Sequence, residues 1–228
     1  MTLLVLGLVL VLQSAPQKAA ETVPEVALRY SPVFDGQCSE LTNSEIPPAW
    51  VETLNAKLDR FQAYWNQEGS RLLGAALEIV GKPYPHREMI ATLTLCRFRS
   101  MSLPLILNMR FFLEEASQSD GRKALPLEHF PGLVFHELLH TYLFEHRYWE
   151  NSILLSKYGK EAFLVKVHLH LMALMRAAYE RLGLSADIKA IAEWEKSLNP
   201  SLKRAWEIVE AEGYRPLVRE LQSGSADK

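Results

Sequence analysis

The stretch Phe135–His146, FHELLHTYLFEH, decides the reading of this chain. It carries three of the seven histidines, His136, His140 and His146, in a run that also holds Val134, Leu138 and Leu139. The apolar spacing predicts a helix from about Pro131 to Arg147. On a helix, positions i and i+4 lie on one face about a turn apart, so His136 and His140 aim their imidazoles at one point. Glu137 is turned about 100° from His136, which sets its carboxylate beside that point rather than on it. Buried imidazoles need partners, and a buried carboxylate needs more. Neutral imidazole nitrogens bind zinc at about 2.0–2.1 Å, which supplies such a partner. The competing reading is a structural helix whose histidines are satisfied by hydrogen bonds. Six of the seven histidines fall between His129 and His170, which favours a shared purpose.

His136-Glu137-Leu138-Leu139-His140 is an HExxH pattern, in which two histidines hold a zinc ion and the glutamate takes a proton from water. In sequence, VFHELLH resembles the active-site helix of the zincin superfamily of metallopeptidases. The resemblance covers this helix and extends to the strands before it and the helix after it. It implies zinc on His136 and His140, Glu137 as general base, and hydrolysis of peptide bonds in a peptide or protein substrate. It also implies a sheet edge strand that lines the cleft and binds extended substrate through its backbone. LPLILNMRFF, starting at Leu103, is the candidate, with an ordinary core strand as the alternative. A second reading is a zincin-like protein of the cell envelope that binds metal or a partner and no longer cleaves. A di-iron carboxylate bundle is disfavoured, because it needs a second ExxH and Glu137–His140 is the only one.

A third ligand has to come from elsewhere. The offset from His136 to His146 fits the HExxHxxGxxH pattern of one zincin group. Leu143, however, stands at the glycine position, where a φ > 0 exit from the helix is needed. If the helix continues, His146 lies about 15 Å along the axis from His136 and cannot reach the ion. Glu161 is placed like the third ligand of a second zincin group, which takes a glutamate from the following helix. It is equally explained by a helix-start role. VKVHLHLMALM offers His168 and His170, which point about 160° apart on a helix. The His168 face carries Leu164, Leu171, Met172 and Met175, the core stripe, so His168 is preferred over Glu161, His170 and His146. Glu161 then serves as an acceptor behind it. Tyr142, Arg147, Tyr148 and Tyr179 are nearby in sequence, but none is assignable as a transition-state stabiliser.

The rest of the chain frames this helix. At 228 residues, 48% apolar, 23% charged and with net charge −2, it suits one soluble domain and excludes a nucleic-acid binder. Leu3–Leu12 is an unbroken apolar run, too short for a bilayer, followed by the small residues of QSAPQKAA. Residues 1–20 therefore read as a signal peptide, with a buried N-terminal helix as the alternative, and residues 21–228 as a single domain that is secreted or periplasmic. No stable membrane span is expected in the mature chain, and oligomeric state is not readable. Cys38 and Cys96 either pair or remain buried thiols. Pro24–Ser44 reads as irregular, with a strand near Val26–Phe34. Helical spacing runs from Pro48 to Gly81, with a break at Gly69. Met89–Phe98 and Leu103–Leu113 read as strands joined in an antiparallel hairpin by RSMS, followed by a polar loop. From Leu127 onward everything reads as helix, with Ser185 and Asn199 as N-caps, Pro200 as a first residue and Gly213 as a stop. The fold class is therefore α+β, mainly helical: a small antiparallel sheet packed on the HExxH helix with C-terminal helices.

Overall fold

The computed structural model describes residues 23–150 and 152–224. The signal-peptide expectation for residues 1–20 lies outside them. The fold is α+β and mainly helical, with one four-stranded sheet.

The chain starts with β1 (Glu25–Tyr30) and turns at once into α1 (Pro32–Thr42), where Ser31 accepts from the Phe34 N–H and Pro32 opens the helix. The irregular reading of Pro24–Ser44 is corrected here: Pro, Gly and Ser stand at helix-start and surface positions rather than in a loop. α2 (Pro48–Tyr64) and α3 (Ser70–Val80) follow, joined by a π-helical turn at Trp65–Gly69. The helix is therefore not broken at Gly69. The glycine is needed because Trp65 folds its ring back over that backbone, and an added Cβ would fall inside the ring. Gly81 ends α3 in the left-handed region, at φ 80°.

β2 (Glu88–Thr94), β3 (Met101–Ser102) and β4 (Leu105–Asn108) complete the sheet in the order β1-β2-β4-β3. β1 with β2 and β2 with β4 are parallel, and only β3 with β4 is antiparallel. This corrects the all-antiparallel sheet. The two apolar runs do not face each other across RSMS; the chain leaves β2 after Thr94, makes β3 from part of that link, and reverses through Leu103–Pro104. All four β4 residues are buried, as expected of an interior strand covered on both faces. On the outer edge, Gln62 of α2 accepts from the Leu28 N–H (2.8 Å) and donates to the Val26 carbonyl (2.9 Å), closing β1 to further pairing.

Cys38 of α1 and Cys96, just past β2, form a disulfide with Cα atoms 6.1 Å apart. Asp35, buried on α1, accepts from the Leu95 N–H and the Thr94 hydroxyl, so α1 is latched to the end of β2 by a polar and a covalent clasp. Closing a loop of 58 residues is worth about 4 kcal/mol in chain entropy.

A short helix α4 (Glu114–Ser119) interrupts the stretch read as a polar loop. α5 (Phe130–Glu145) is buried on nearly every side and forms the axis of the core. After α6 (Ile153–Ser156), α7 (Phe163–Arg181) packs against α3, α5, α8 (Ser185–Leu198), α9 (Pro200–Glu212) and α10 (Arg215–Ser223). Ser185 is the first residue of α8 and not its cap, which is Leu184. Asn199 does cap α9, accepting from the Ser201 and Leu202 N–H groups, and Gly213 ends it at φ 81°. No helix among the described residues is long and apolar enough to cross a membrane.

Candidate metal centre

α5 presents His136 and His140 one turn apart, and α7 crosses it with His168 facing them. The Nε2 atoms of His136 and His140 are 3.2 Å apart, and those of His140 and His168 are 3.1 Å apart. All three donor atoms lie within 4.8 Å of one another, close enough to hold one metal ion. One ion held at about 2.0–2.1 Å by three nitrogens in tetrahedral array sets them about 3.3 Å apart, so the donor set fits. His136 and His168 are buried and His140 is half-buried.

The far sides of two rings fix their orientation. His168 Nδ1 donates to the carbonyl of Leu164 at 2.6 Å. A carbonyl can only accept, so the proton sits on Nδ1 and the Nε2 lone pair faces the cluster. His136 Nδ1 bonds Glu195 Oε1 at 2.8 Å, and Glu195 Oε2 accepts from the Trp206 indole N–H at 2.7 Å. Burial and the neighbouring imidazoles hold His140 well below the usual histidine range, and burial takes His168 down to about 4. Both therefore offer lone pairs at neutral pH. Burial also works against charge on His136, but Glu195 outweighs it and raises that ring. Burial pushes Glu137 up to about 7, against the pull of His136 and Arg99.

A cleft of about 410 Å³ opens over the three histidines and Glu137. Its walls come from the loop and edge strand Arg99–Ser102, from Phe111 and Trp194, and from Leu164, Leu198 and Asn199. The strand at the cleft is therefore β3. LPLILNMRFF, the candidate for that role, forms β4 inside the sheet, since β3 pairs along its outer edge. The Ser102 carbonyl already accepts from Thr141 at 3.3 Å.

The other candidates lie elsewhere. α5 runs on through Leu143, and the chain takes its positive φ only at Arg147, at 54°. His146 thus sits past the helix end and bonds the Pro83 carbonyl at 3.1 Å. His170, on the opposite side of α7, pairs with Glu220 at 2.8 Å. Glu161 turns outward to Arg204 at 2.7 Å, so it is not the acceptor behind the histidines. Tyr142, Arg147, Tyr148 and Tyr179 do not line the cleft.

That acceptor is Glu195, which the reading of the sequence missed. A signal was present: Ile188, Ile191, Ala192 and Glu195 form the buried stripe of α8, and a carboxylate in an apolar stripe calls for a partner. Gly132 lets α8 approach, because a Cβ there would come within 2.5 Å of Ile191. Gly132 and Ile191 each precede His136 and Glu195 by one turn, so this close contact sets the distance between the two polar partners. Glu195→Gln is expected to weaken metal binding by about 10–100-fold, because the amide holds His136 less firmly and lowers its basicity. A competition titration with a chromogenic chelator measures this; unchanged affinity would separate Glu195 from the centre.

Comparison with known protein families, with curated proteins and with solved structures finds no match to this chain.

Proposed function

We propose that the protein is a zinc-dependent, zincin-like metallopeptidase. The observation that carries this reading is the convergence of three imidazole Nε2 atoms beside a buried glutamate in one open cleft. Three nitrogen ligands with room for a fourth group match a catalytic zinc site, whereas structural sites are closed by four protein ligands. The third histidine comes from the next long helix and departs from both zincin patterns, the later histidine of one and the glutamate of the other.

Zinc supplies Lewis-acid polarisation of the scissile carbonyl and a lowered pKa for water. The chain does the rest. His136, His140 and His168 are held in place by Glu195, by the rigid turn of α5 and by the Leu164 carbonyl. Glu137 does not share the face of the histidines, so its carboxylate is free to accept the proton of the attacking water and return it to the leaving amine. β3, at the sheet edge, supports extended substrate along the cleft. The disulfide supports residence in an oxidising compartment, in keeping with a secreted or periplasmic protein.

One observation favours the second reading, a metal-holding interaction protein without turnover. β3 is two residues long and one of its carbonyls is occupied, which leaves little edge for substrate. Metal analysis of the purified chain, with hydrolysis of a broad peptide library before and after chelation, tests both. About one zinc per chain and activity restored by zinc are expected of the peptidase. Zinc without cleavage leaves the second reading, and a chain that holds no zinc defeats both.

A further inference from the structure

Beside the catalytic cleft lies a second hollow of about 550 Å³, lined by Arg97, Arg99, Arg110 and Arg122 with a single carboxylate, Asp120. The chain as a whole carries net charge −2, so this is a local reversal of sign. Arg99, Phe111 and Arg122 line both the hollow and the cleft, so the two are continuous.

Asp120 is heavily subscribed. Arg110, itself almost fully buried, grips it with a two-pronged fork, Nε to Oδ2 at 2.9 Å and a terminal nitrogen to Oδ1 at 2.5 Å. Arg122 adds a bond at 2.7 Å and Arg97 a contact at 3.4 Å. Each guanidinium has five N–H donors, so one carboxylate cannot use those of three arginines. The Arg122 guanidinium also lies over the Phe111 ring, 4.6 Å from its centroid, which holds it in place at the cleft wall. Arg99 makes no ion pair or hydrogen bond among the described residues; its charge acts only across the cleft on Glu137. Arg110 builds the shelf, whereas Arg97, Arg99 and Arg122 present spare donors to solvent.

We infer that this arginine shelf is a carboxylate-binding subsite, and that the substrates are peptides with an acidic group on the shelf side of the scissile bond. This rests on the metallopeptidase reading for turnover, although not for binding. The guanidinium fork matches the planar geometry of a carboxylate, and continuity through Arg99 places such a group in line with a peptide crossing the histidines. A carboxylate could come from an Asp or Glu side chain or from the C-terminus, and the chemistry recognised is the same.

The test uses the full chain carrying Glu137→Gln, loaded with zinc, and fluorescent peptides matched in all but one group: Glu against Gln, and free C-terminus against amide. Anisotropy is expected to show an acidic peptide binding about tenfold more tightly than its neutral isostere, one charge-assisted contact's worth. The ratio should shrink as salt rises. With Arg99→Gln added, the ratio should fall towards one, and further with Arg122→Gln. Arg99 has no structural partner, so its replacement leaves the fold intact and decides the matter alone. A ratio lost on amidation assigns the C-terminal carboxylate; a ratio lost only in the Glu-to-Gln pair assigns a side chain. Equal binding of acidic and neutral peptides, or a ratio unmoved by Arg99→Gln, overturns the subsite. Turnover by the chain with Glu137 intact is read separately. A preserved ratio without cleavage sinks the peptidase and leaves the subsite, while cleavage indifferent to charge does the reverse.

Discussion

Glu137→Gln is expected to keep the metal and to lower kcat/KM for peptide hydrolysis by about a thousandfold, within the range of general acid–base catalysis. The substitution preserves size and hydrogen-bonding capacity but removes the ability to accept a proton. Glu137 follows His136 on α5 and is turned away from the point where the three Nε2 atoms meet, so it contributes no donor to the cluster. Metal content should therefore equal that of the unaltered chain. Activity and metal are read on the same preparation, so each outcome has one meaning. Loss of both would make Glu137 a ligand or a structural anchor. Retention of both would remove it from the chemistry, and with it the proposed mechanism.

His168→Ala is expected to cost on the order of a hundredfold in metal affinity, about 3 kcal/mol, if the 10–16 kcal/mol typical of a four-ligand zinc site is shared evenly among its ligands. His146→Ala and Glu161→Gln should leave affinity unchanged, because their side chains bond the Pro83 carbonyl and Arg204. His168 bonds only its own helix and the cluster, so the apo protein should melt near the unaltered temperature. Chelator competition on the three variants gives the ranking directly. If His168→Ala binds as tightly as the parent chain, the third donor lies elsewhere and the cluster is a packed histidine group.

Much of the candidate site could be read along one helix. The spacing of His136 and His140, the offset of Glu137, and Leu143 in place of a glycine are properties of local geometry, and α5 continues through Leu143 as that geometry requires. The cap and stop of α9 at Asn199 and Gly213 are local for the same reason. β2 and β4 were harder, because two short apolar runs look alike whether they pair in parallel or antiparallel. Direction depends on the path of the chain between them, and here six residues leave β2 before β3 begins.

The sequence by itself determined the helix, the pair of histidines with their glutamate, and the α+β class, since each follows from periodicity of 3.6 or 2 residues. Only the tertiary structure decided which distant groups meet that pair. α7 could present either His168 or His170, and its packing against α5 turned His168 inward and left His170 to Glu220. Glu195 reaches His136 because Gly132 admits α8, a contact across 59 residues of sequence. The Cys38–Cys96 bond and the sharing of Asp120 among arginines are likewise settled by packing. Local spacing sets where a side chain points on its own element; the docking of whole elements, driven by burial of their apolar faces, sets what it points at.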